Sequence, residues 1–246
     1  MPRFFIRQDQ ISEENGERII TIVGDDAHHI SRSLRMASGE VIEVVDMQKN
    51  LYTCELFGFF DGYVTSKIIS QDKADTEPPH FIRLYQALAK GDKMETIIQK
   101  SIECGACEIV PFSSERCVVK LDKKDEQKKI DRWQKIAEGA AKQSGRGIVP
   151  QVKSVLSFKE LLGKLDGTVL FCYEGEDVKT IRQALKNAKI QGDVSIIIGS
   201  EGGFSKKEAE LLTEAGAISV GLGKRILRCE TAPIFALSCI SYELEL

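Results

Sequence analysis

Apolar strand-like segments alternate with segments of helical periodicity through the last two thirds of the chain. This alternation constrains the fold more than any other feature. Strands are predicted at Phe81–Ala89, Glu108–Phe112, Thr168–Tyr173, Val194–Gly199 and Ala217–Gly221. Helices are predicted at Asp92–Cys104, Glu126–Ser144, Val178–Ala188, Ser205–Ala215 and from about Thr231 onward. Such alternation predicts an α/β fold, with a mostly parallel sheet covered by helices on both faces.

The first part of the chain has a different pattern, of short β-branched and aromatic runs bounded by Gly or Asp. Strands are predicted at Arg18–Val23, Glu40–Asp46, Leu51–Phe60 and Tyr63–Ser70. One helix is predicted at about Asp25–Met36, with Asp25 as its N-cap. A small domain of this kind is predicted to be a compact β-barrel. The polar, proline-containing stretch 71–80 is interpreted as a linker, so we expect domains at 1–72 and 73–246.

Charge is distributed unevenly along the chain. The net charge of the 246 residues is −3, which at face value argues against a nucleic-acid partner. Residues 1–72 carry −5, however, whereas residues 116–146 hold 10 Lys or Arg and 5 Asp or Glu and carry +5. A basic run is usually a solvated helix face, and a local RNA-facing surface is the alternative. The charge distribution therefore allows a local contact with nucleic acid and argues against a general affinity over the whole surface.

Cellular location is inferred from what the sequence lacks. We see no apolar run of about 18 residues that would cross a membrane and no secretory signal at the start of the chain. The seven cysteines form an odd, scattered set, which is typical of a reducing compartment. A cytoplasmic protein without membrane contact is expected.

Two glycine-rich loops follow predicted buried strands. They are Gly199–Phe204, with the sequence GSEGGF, and Gly221–Arg228, with the sequence GLGKRILR. Loops at the carboxyl ends of parallel strands are where open α/β sheets bind ligands, although glycines often only end a strand. Neither loop fits the dinucleotide pattern G-x-G-x-x-G or the P-loop pattern. A ligand held by backbone groups, such as an adenosyl compound, is therefore left open.

The stretch RILRCETAP at 225–233 is the most specific feature of the sequence. It places two Arg, a Glu and a Thr beside a glycine loop and a predicted helix start. The plain interpretation is a solvated loop in which Thr231 caps the last helix. Pro233 is tolerated in the first turn of that helix.

At these residues the chain resembles the ribosomal RNA small subunit methyltransferase E family of the SPOUT superfamily. GSEGGF and LGKRILRCETA carry the resemblance, together with HHISRSLRMASGEVIEVVD at 28–46, LAKGDKMETIIQKSIECGACEIVPFSSERCVVK at 88–120 and RWQKIAEGAAKQSGR at 132–146. The resemblance implies an N-terminal PUA-like β-barrel that binds RNA. It also implies a C-terminal SPOUT methyltransferase domain with a trefoil knot, and a homodimer.

The resemblance further implies methyl transfer from S-adenosylmethionine to N3 of a uridine in 16S ribosomal RNA, within the small subunit. It places the cofactor on residues of the two glycine loops, and it implies no metal. These cofactor residues are Gly199, Glu201, Gly202, Gly203, Leu222, Gly223, Ile226, Leu227 and Arg228.

The chemistry of uracil N3 suggests roles for three further side chains. N3 becomes a good nucleophile only after it loses its proton, and the charge then spreads onto two carbonyl oxygens. Arg stays protonated, so Arg146 or Arg228 is hypothesised to stabilise that anion. Glu230 is the nearest carboxylate that could accept the proton.

Other interpretations stay open at this point. One is a related SPOUT methyltransferase acting on another RNA, such as transfer RNA. A second is a non-catalytic RNA-binding or assembly factor, and a third is an enzyme for another adenosyl or nucleotide ligand. The C-x-x-C at Cys104 and Cys107 lacks a second pair for zinc and is interpreted as structural. The adjacent His28 and His29 are poor metal ligands and are expected to be structural or to contact RNA.

Overall fold

The computed structural model describes residues 1–174, 178–187, 190 and 192–246, and it divides into two compact units. The first unit contains residues 1–77 and 141–149, and the second contains 78–140 and 150–246. The boundary at 77/78 falls inside the predicted linker. The domains predicted from the sequence, 1–72 and 73–246, differ from these units at residues 73–77 and 141–149. Contacts between residues distant in sequence place residues 141–149 with the first unit.

The first unit is built on a six-stranded sheet. Its elements are β1 (Arg3–Phe5), β2 (Ile11–Glu14), β3 (Glu17–Val23), α1 (Gly24–His28), β4 (Val41–Val45), β5 (Asn50–Phe60) and β6 (Tyr63–Lys73). The strand order is β1-β4-β5-β6-β3-β2, in which β1 and β4 are parallel and all other neighbours are antiparallel. Alternate strand residues such as Ile20, Ile22 and Val44 form its core with Ala27 and Ile30 of the helical segment.

The predicted helix of this unit differs from the observed one. It begins at Gly24 after the N-cap Val23, so Asp25 lies in the first turn and is not the cap. A carboxylate is favourable there because it faces the positive end of the helix dipole. The α-helix ends at His28 and continues as one wider turn, His29–Ser33, so it does not reach Met36.

The second unit alternates strands and helices, as predicted. Its first half contains β7 (Ile82–Ala87), α2 (Lys93–Glu103), β8 (Glu108–Ser113), α3 (Lys123–Gln143), β9 (Gln151–Val152), β10 (Leu156–Ser157) and α4 (Phe158–Leu162). Its second half contains β11 (Thr168–Cys172), β12 (Lys179–Thr180), α5 (Ile181–Asn187), β13 (Val194–Ile198), α6 (Lys206–Glu214), β14 (Ile218–Gly221) and α7 (Thr231–Leu244). The last three residues of α3 belong to the first unit. Residue 188, the predicted end of α5, lies outside the described residues.

The sheet of the second unit has the order β10-β8-β7-β13-β11-β14-β12, and β9 also pairs with β8. Every pairing is parallel. Strand β13 is buried along its whole length, which explains its unbroken run of small and β-branched residues. One face of the sheet packs against α4 and α6, and α7 contacts α2, α5 and β13. The parallel sheet is confirmed, and the trefoil knot stays a prediction.

Two helix starts show how local sequence sets the ends of elements. Ser205 caps α6, and its hydroxyl accepts the Glu208 N–H while the Glu208 carboxylate accepts the Ser205 N–H, so the predicted capping box is confirmed. Helix α7 begins at Thr231 with Glu230 as N-cap, so Thr231 is the first helical residue and not the cap. Among the described helices, none is long and apolar enough to cross a membrane.

Candidate active site

A cavity of about 990 Å³ opens at the carboxyl ends of β13, β11 and β14 in the second unit. These three strands are neighbours in the sheet, so the segments that follow them meet at one edge. Residues 199–204 and 221–230 supply most of the lining. Cys172, Tyr173 and Glu174, at the end of β11, lie between them, and Lys93 and Arg116 come from other elements.

The first loop, residues 199–204, has a compact backbone that requires glycine at three positions. Gly203 has φ +63° and donates its N–H to the Ser200 carbonyl at 2.9 Å. A Cβ at Gly199 would lie 3.1 Å from the Gly203 backbone, and a Cβ at Gly202 would lie 2.9 Å from Cβ of Arg116. The Arg116 guanidinium also donates to the Gly202 carbonyl at 2.9 Å. The glycines therefore bring the backbone to the cavity wall, where its polar groups face a ligand.

The second loop, residues 222–228, is more exposed. Gly223 has φ +107°, which is a backbone conformation that side-chain-bearing residues rarely adopt. Ile226 is 82% exposed, and Arg228 is exposed as well. The Arg228 carbonyl accepts the N–H groups of Thr231 and Ala232, which joins the loop to the first turn of α7. The loop thus combines an anchored end with an open side that faces solvent.

Three charged side chains meet in the cavity. The Lys93 ammonium lies 3.0 Å from a Glu201 carboxylate oxygen and 3.5 Å from one of Glu230. Glu201 also accepts the backbone N–H of Lys90 at 3.0 Å, and Glu230 accepts the Cys229 thiol at 3.2 Å.

Burial by itself would raise the pKa of both carboxyls. Hydrogen bonds from the Lys90 N–H and from Lys93 outweigh burial at Glu201, and its pKa lies below the usual range. At Glu230 a backbone N–H, the Cys229 thiol and the charge of Lys93 have the same effect. The hydrogen bond to Glu201 raises the pKa of Lys93. All three groups are therefore charged at neutral pH.

The structure brings together all nine residues that were predicted to hold the cofactor, because each of them lines this cavity. Arg228 and Glu230, two of the three predicted catalytic residues, line it too. The third, Arg146, belongs to the first unit, where its guanidinium forms a buried ion pair with Glu77.

Sequence reasoning did not assign Lys93, Arg116 or Tyr173 to the site. Tyr173 could have been found, because it was predicted as the last residue of a strand, at the same edge of the sheet as the glycine loops. Lys93 and Arg116 have no such signal: Lys93 is 108 residues from Glu201 and Arg116 is 86 residues from Gly202. Among the described residues no cluster of three metal-ligating side chains occurs, and none of the seven cysteines, all described, forms a disulfide.

Comparisons with known proteins identify the family. Residues 76–241 match the family model of the RNA methyltransferase domain, and residues 22–59 match that of the RNA methyltransferase PUA domain. A ribosomal RNA small subunit methyltransferase E of Bacillus subtilis is 38% identical, and the match covers 100% of this chain and 98% of that protein. The chain belongs to the ribosomal RNA small subunit methyltransferase E family. The resemblance stated from the sequence motifs is confirmed.

Solved structures agree with this family. The ribosomal RNA small subunit methyltransferase E of Neisseria gonorrhoeae, crystallised with bound S-adenosyl methionine, is 31% identical with a TM-score of 0.87, over 99% of this chain and 98% of that one. A Legionella pneumophila protein in complex with the same cofactor is also 31% identical with a TM-score of 0.87, over 98% and 97% of the two chains. The predicted fold class, a parallel-sheet α/β domain with a PUA-like N-terminal domain, is thereby confirmed.

Proposed function

We propose that this protein transfers a methyl group from S-adenosylmethionine to N3 of a specific uridine in 16S ribosomal RNA of the small subunit. The observation that carries the proposal is that both glycine loops, with Arg228 and Glu230, line one cavity at the carboxyl ends of parallel strands. The family is named for ribosomal RNA methylation, and two similar proteins were crystallised with this cofactor.

The residues of the cavity fit an adenosyl ligand. Apolar side chains of Ile198, Leu222 and Leu227 line it beside the exposed backbone groups of the loops, which suits a base and ribose held largely by the main chain. The buried hydroxyl of Ser200 has no hydrogen-bond partner within the described part of the chain, and it lines the same cavity. Gly199, Glu201, Gly202, Gly203, Leu222, Gly223, Ile226, Leu227 and Arg228 are the residues proposed to hold the cofactor.

When bound, S-adenosylmethionine supplies an electrophilic methyl group on a sulfonium ion. The chain must supply a deprotonated N3. Arg228 is exposed at the cavity and can stabilise the uracil anion through charge-assisted hydrogen bonds to its carbonyl oxygens. Glu230 is ionised at neutral pH and can accept the N3 proton, although a carboxylate of lowered pKa holds a proton weakly.

Arg146 was the second candidate for stabilising the anion. In this structure its guanidinium is engaged with Glu77, so contact with a substrate would require it to exchange that partner. The test compares Arg146→Ala with Arg228→Ala in cofactor binding and in turnover per folded molecule. Turnover that survives intact in either variant removes that arginine from the mechanism.

The proposed partner is ribosomal RNA within the small subunit, contacted by the PUA-like unit and by the basic stretch 116–146. Lys124 and Lys128 are exposed on α3 in this stretch. We also propose a cytoplasmic homodimer. The homodimer is supported by the exposed apolar side chains of Ile226, Phe235 and Tyr242, which lie on the last loop and helix of the second unit.

Two experiments test the function. Calorimetric titration with S-adenosylmethionine should show binding, and failure to bind would favour a non-catalytic RNA-binding factor. Mass mapping of ribosomal RNA from a strain that lacks the protein should show one unmethylated uridine N3 that the purified protein remethylates. Loss of a methyl group from transfer RNA instead would identify a related methyltransferase with another substrate.

A further inference from the structure

Lys93 occupies an electrostatically unusual place. It is the first residue of α2, where the helix dipole is positive and a cation is unfavourable. Its side chain is nevertheless only one-third exposed and is directed to two carboxylates, both less than one-third exposed. A cation at a helix start is thus compensated by anions from outside its own helix.

The two carboxylates come from different loops of the cavity. Glu201 lies in the first glycine loop, and Glu230 follows the second and is the N-cap of α7. Lys93 reaches both from a third element, at 3.0 and 3.5 Å. Glu201 is further anchored to the chain before α2 by the Lys90 N–H. The contacts therefore join the segment that opens α2 to both loops.

Both bridged loops are rich in glycine. They contain glycines with φ +63° and +107°, and glycine has the largest conformational freedom in the unfolded and open states. Within the second loop, Ile226 is 82% exposed and has little packing to hold it. An ion pair of this exposure contributes little stability alone, but here one cation contacts carboxylates beside both loops at once.

We infer that Lys93 is a positioning residue: by bridging Glu201 and Glu230 it fixes the positions of the two glycine loops relative to each other. This inference rests on the proposed function only for the identity of the ligand, S-adenosylmethionine. Lys93 also contacts Glu230, the proposed proton acceptor, at 3.5 Å within the same cavity.

The experiment uses the full-length protein and four versions of it: wild type, Lys93→Met, Lys93→Arg and the control Lys100→Met. Lys100 lies on the same helix, is paired with Glu103 at 2.8 Å and is outside the cavity. The first measurement is hydrogen–deuterium exchange of residues 199–204 and 222–230 without ligand. Lys93→Met should exchange faster in both loops, Lys93→Arg should regain most of the protection, and Lys100→Met should match the wild type.

The second measurement is the affinity for S-adenosylmethionine as a function of pH. Lys93→Met should bind about tenfold more weakly at pH 7.5, a factor that corresponds to about 1.4 kcal/mol. Its loss of binding at acid pH should also begin at a higher pH, because the carboxyls lose the cation that favours their charged form. A lysine with only a structural role would not change the acid pH at which binding begins to be lost.

The outcomes separate the two proposals. If hydrogen–deuterium exchange in the two loops of Lys93→Met equals that of the wild type, the proposed bridge is wrong, whatever the affinity for S-adenosylmethionine. If the exchange result holds but the wild type binds no S-adenosylmethionine, the bridge stands and the proposed function fails. If Lys93→Met does not fold, Lys93→Gln and Glu201→Gln test the same contact from its two sides, and both should raise exchange in the loops.

Discussion

Arg146 donates hydrogen bonds to both carboxylate oxygens of Glu77, at 3.0 and 2.7 Å, and the two side chains are only 4% and 7% exposed. Glu77 accepts the backbone N–H of Gly147 as well, at 2.8 Å. The pair therefore attaches residues 141–149 to Glu77, the last residue of the other stretch of the first unit, 1–77. Arg3 reinforces this attachment by donating to the carbonyls of Gly145 and Arg146.

Breaking this pair should destabilise the protein. Glu77→Ala removes one partner of a buried, bidentate ion pair, and the expected loss is about 3–5 kcal/mol. Urea unfolding followed by circular dichroism measures it. The control is Asp9→Ala, which breaks the exposed pair with Arg7 and should change stability by less than about 1 kcal/mol. Equal effects of the two substitutions would contradict the structural role of Glu77.

Added side chains at the cavity glycines should weaken cofactor binding. In Gly202→Ala the new Cβ would lie 2.9 Å from Cβ of Arg116, so the loop must shift. In Gly223→Ala the strain of φ +107° costs about 1–2 kcal/mol and moves the second loop. Gly16→Ala, at φ +80° in open space of the first unit, is the matched control. Gly16→Ala should lower stability by a similar amount and leave the affinity for S-adenosylmethionine, measured by calorimetry, unchanged. Equal affinity in all three variants would argue against the cavity as the cofactor site.

Charge reversal on α3 should weaken RNA binding. Lys124→Glu combined with Lys128→Glu removes two exposed cations from the basic stretch, and each lost phosphate contact reduces the salt slope by about 0.7–0.9. Filter binding to small-subunit RNA over a range of salt measures affinity and slope. Lys159→Glu combined with Lys164→Glu makes the same change in net charge elsewhere in the second unit. A similar loss in both pairs would show a general charge effect and no local RNA surface.

The contribution of Glu201 to stability should depend on pH only in the acid range. Burial opposes the shift, but hydrogen bonds from Lys90 and Lys93 hold the folded pKa of Glu201 below its ordinary value of 4.5. A lowered folded pKa means that the stabilisation is fully present above the unfolded pKa and is lost as pH falls through the folded one. Thermal unfolding of wild type and Glu201→Gln should differ by a constant amount from pH 6 to 8. The difference should shrink only as the pH falls through the lowered pKa of Glu201, below 4.5, and a difference that does not shrink on further acidification would contradict the ionised pair.

The Cys229 thiol should be unreactive at neutral pH although it lines the cavity. Burial, and then its hydrogen bond to Glu230, raises its pKa to about 12, so the reactive thiolate is scarce. Iodoacetamide labelling at pH 7.5, followed by mass spectrometry, should modify the partly exposed Cys104 well before Cys229. Faster labelling of Cys229 would show that its thiol is not held as described.

Local sequence determined the elements and the loops of this protein. The run of small and β-branched residues in β13, the helical spacing in α3 and the capping box at Ser205 predict their structures because each depends on neighbours a few residues away. The position of the loops at 199–204 and 221–228 after parallel strands allowed a ligand there, and the family resemblance predicted that they hold the cofactor. Short pieces such as β9 and α4 escaped prediction, since two to five residues show no period.

Only the tertiary structure decided which distant residues meet. Glu77 and Arg146 are 69 residues apart and Lys93 and Glu201 are 108 apart, and no period or motif relates such positions. Both ion pairs exist because the chain path brings the partners together, and the buried charges of Glu77 and Arg146 must pair because they are removed from water. Periodicity encodes which face of an element is buried, whereas the pairing of charges across the fold follows from topology. The sequence therefore located the cavity, and the fold assigned Lys93 to it and placed Arg146 in the other unit.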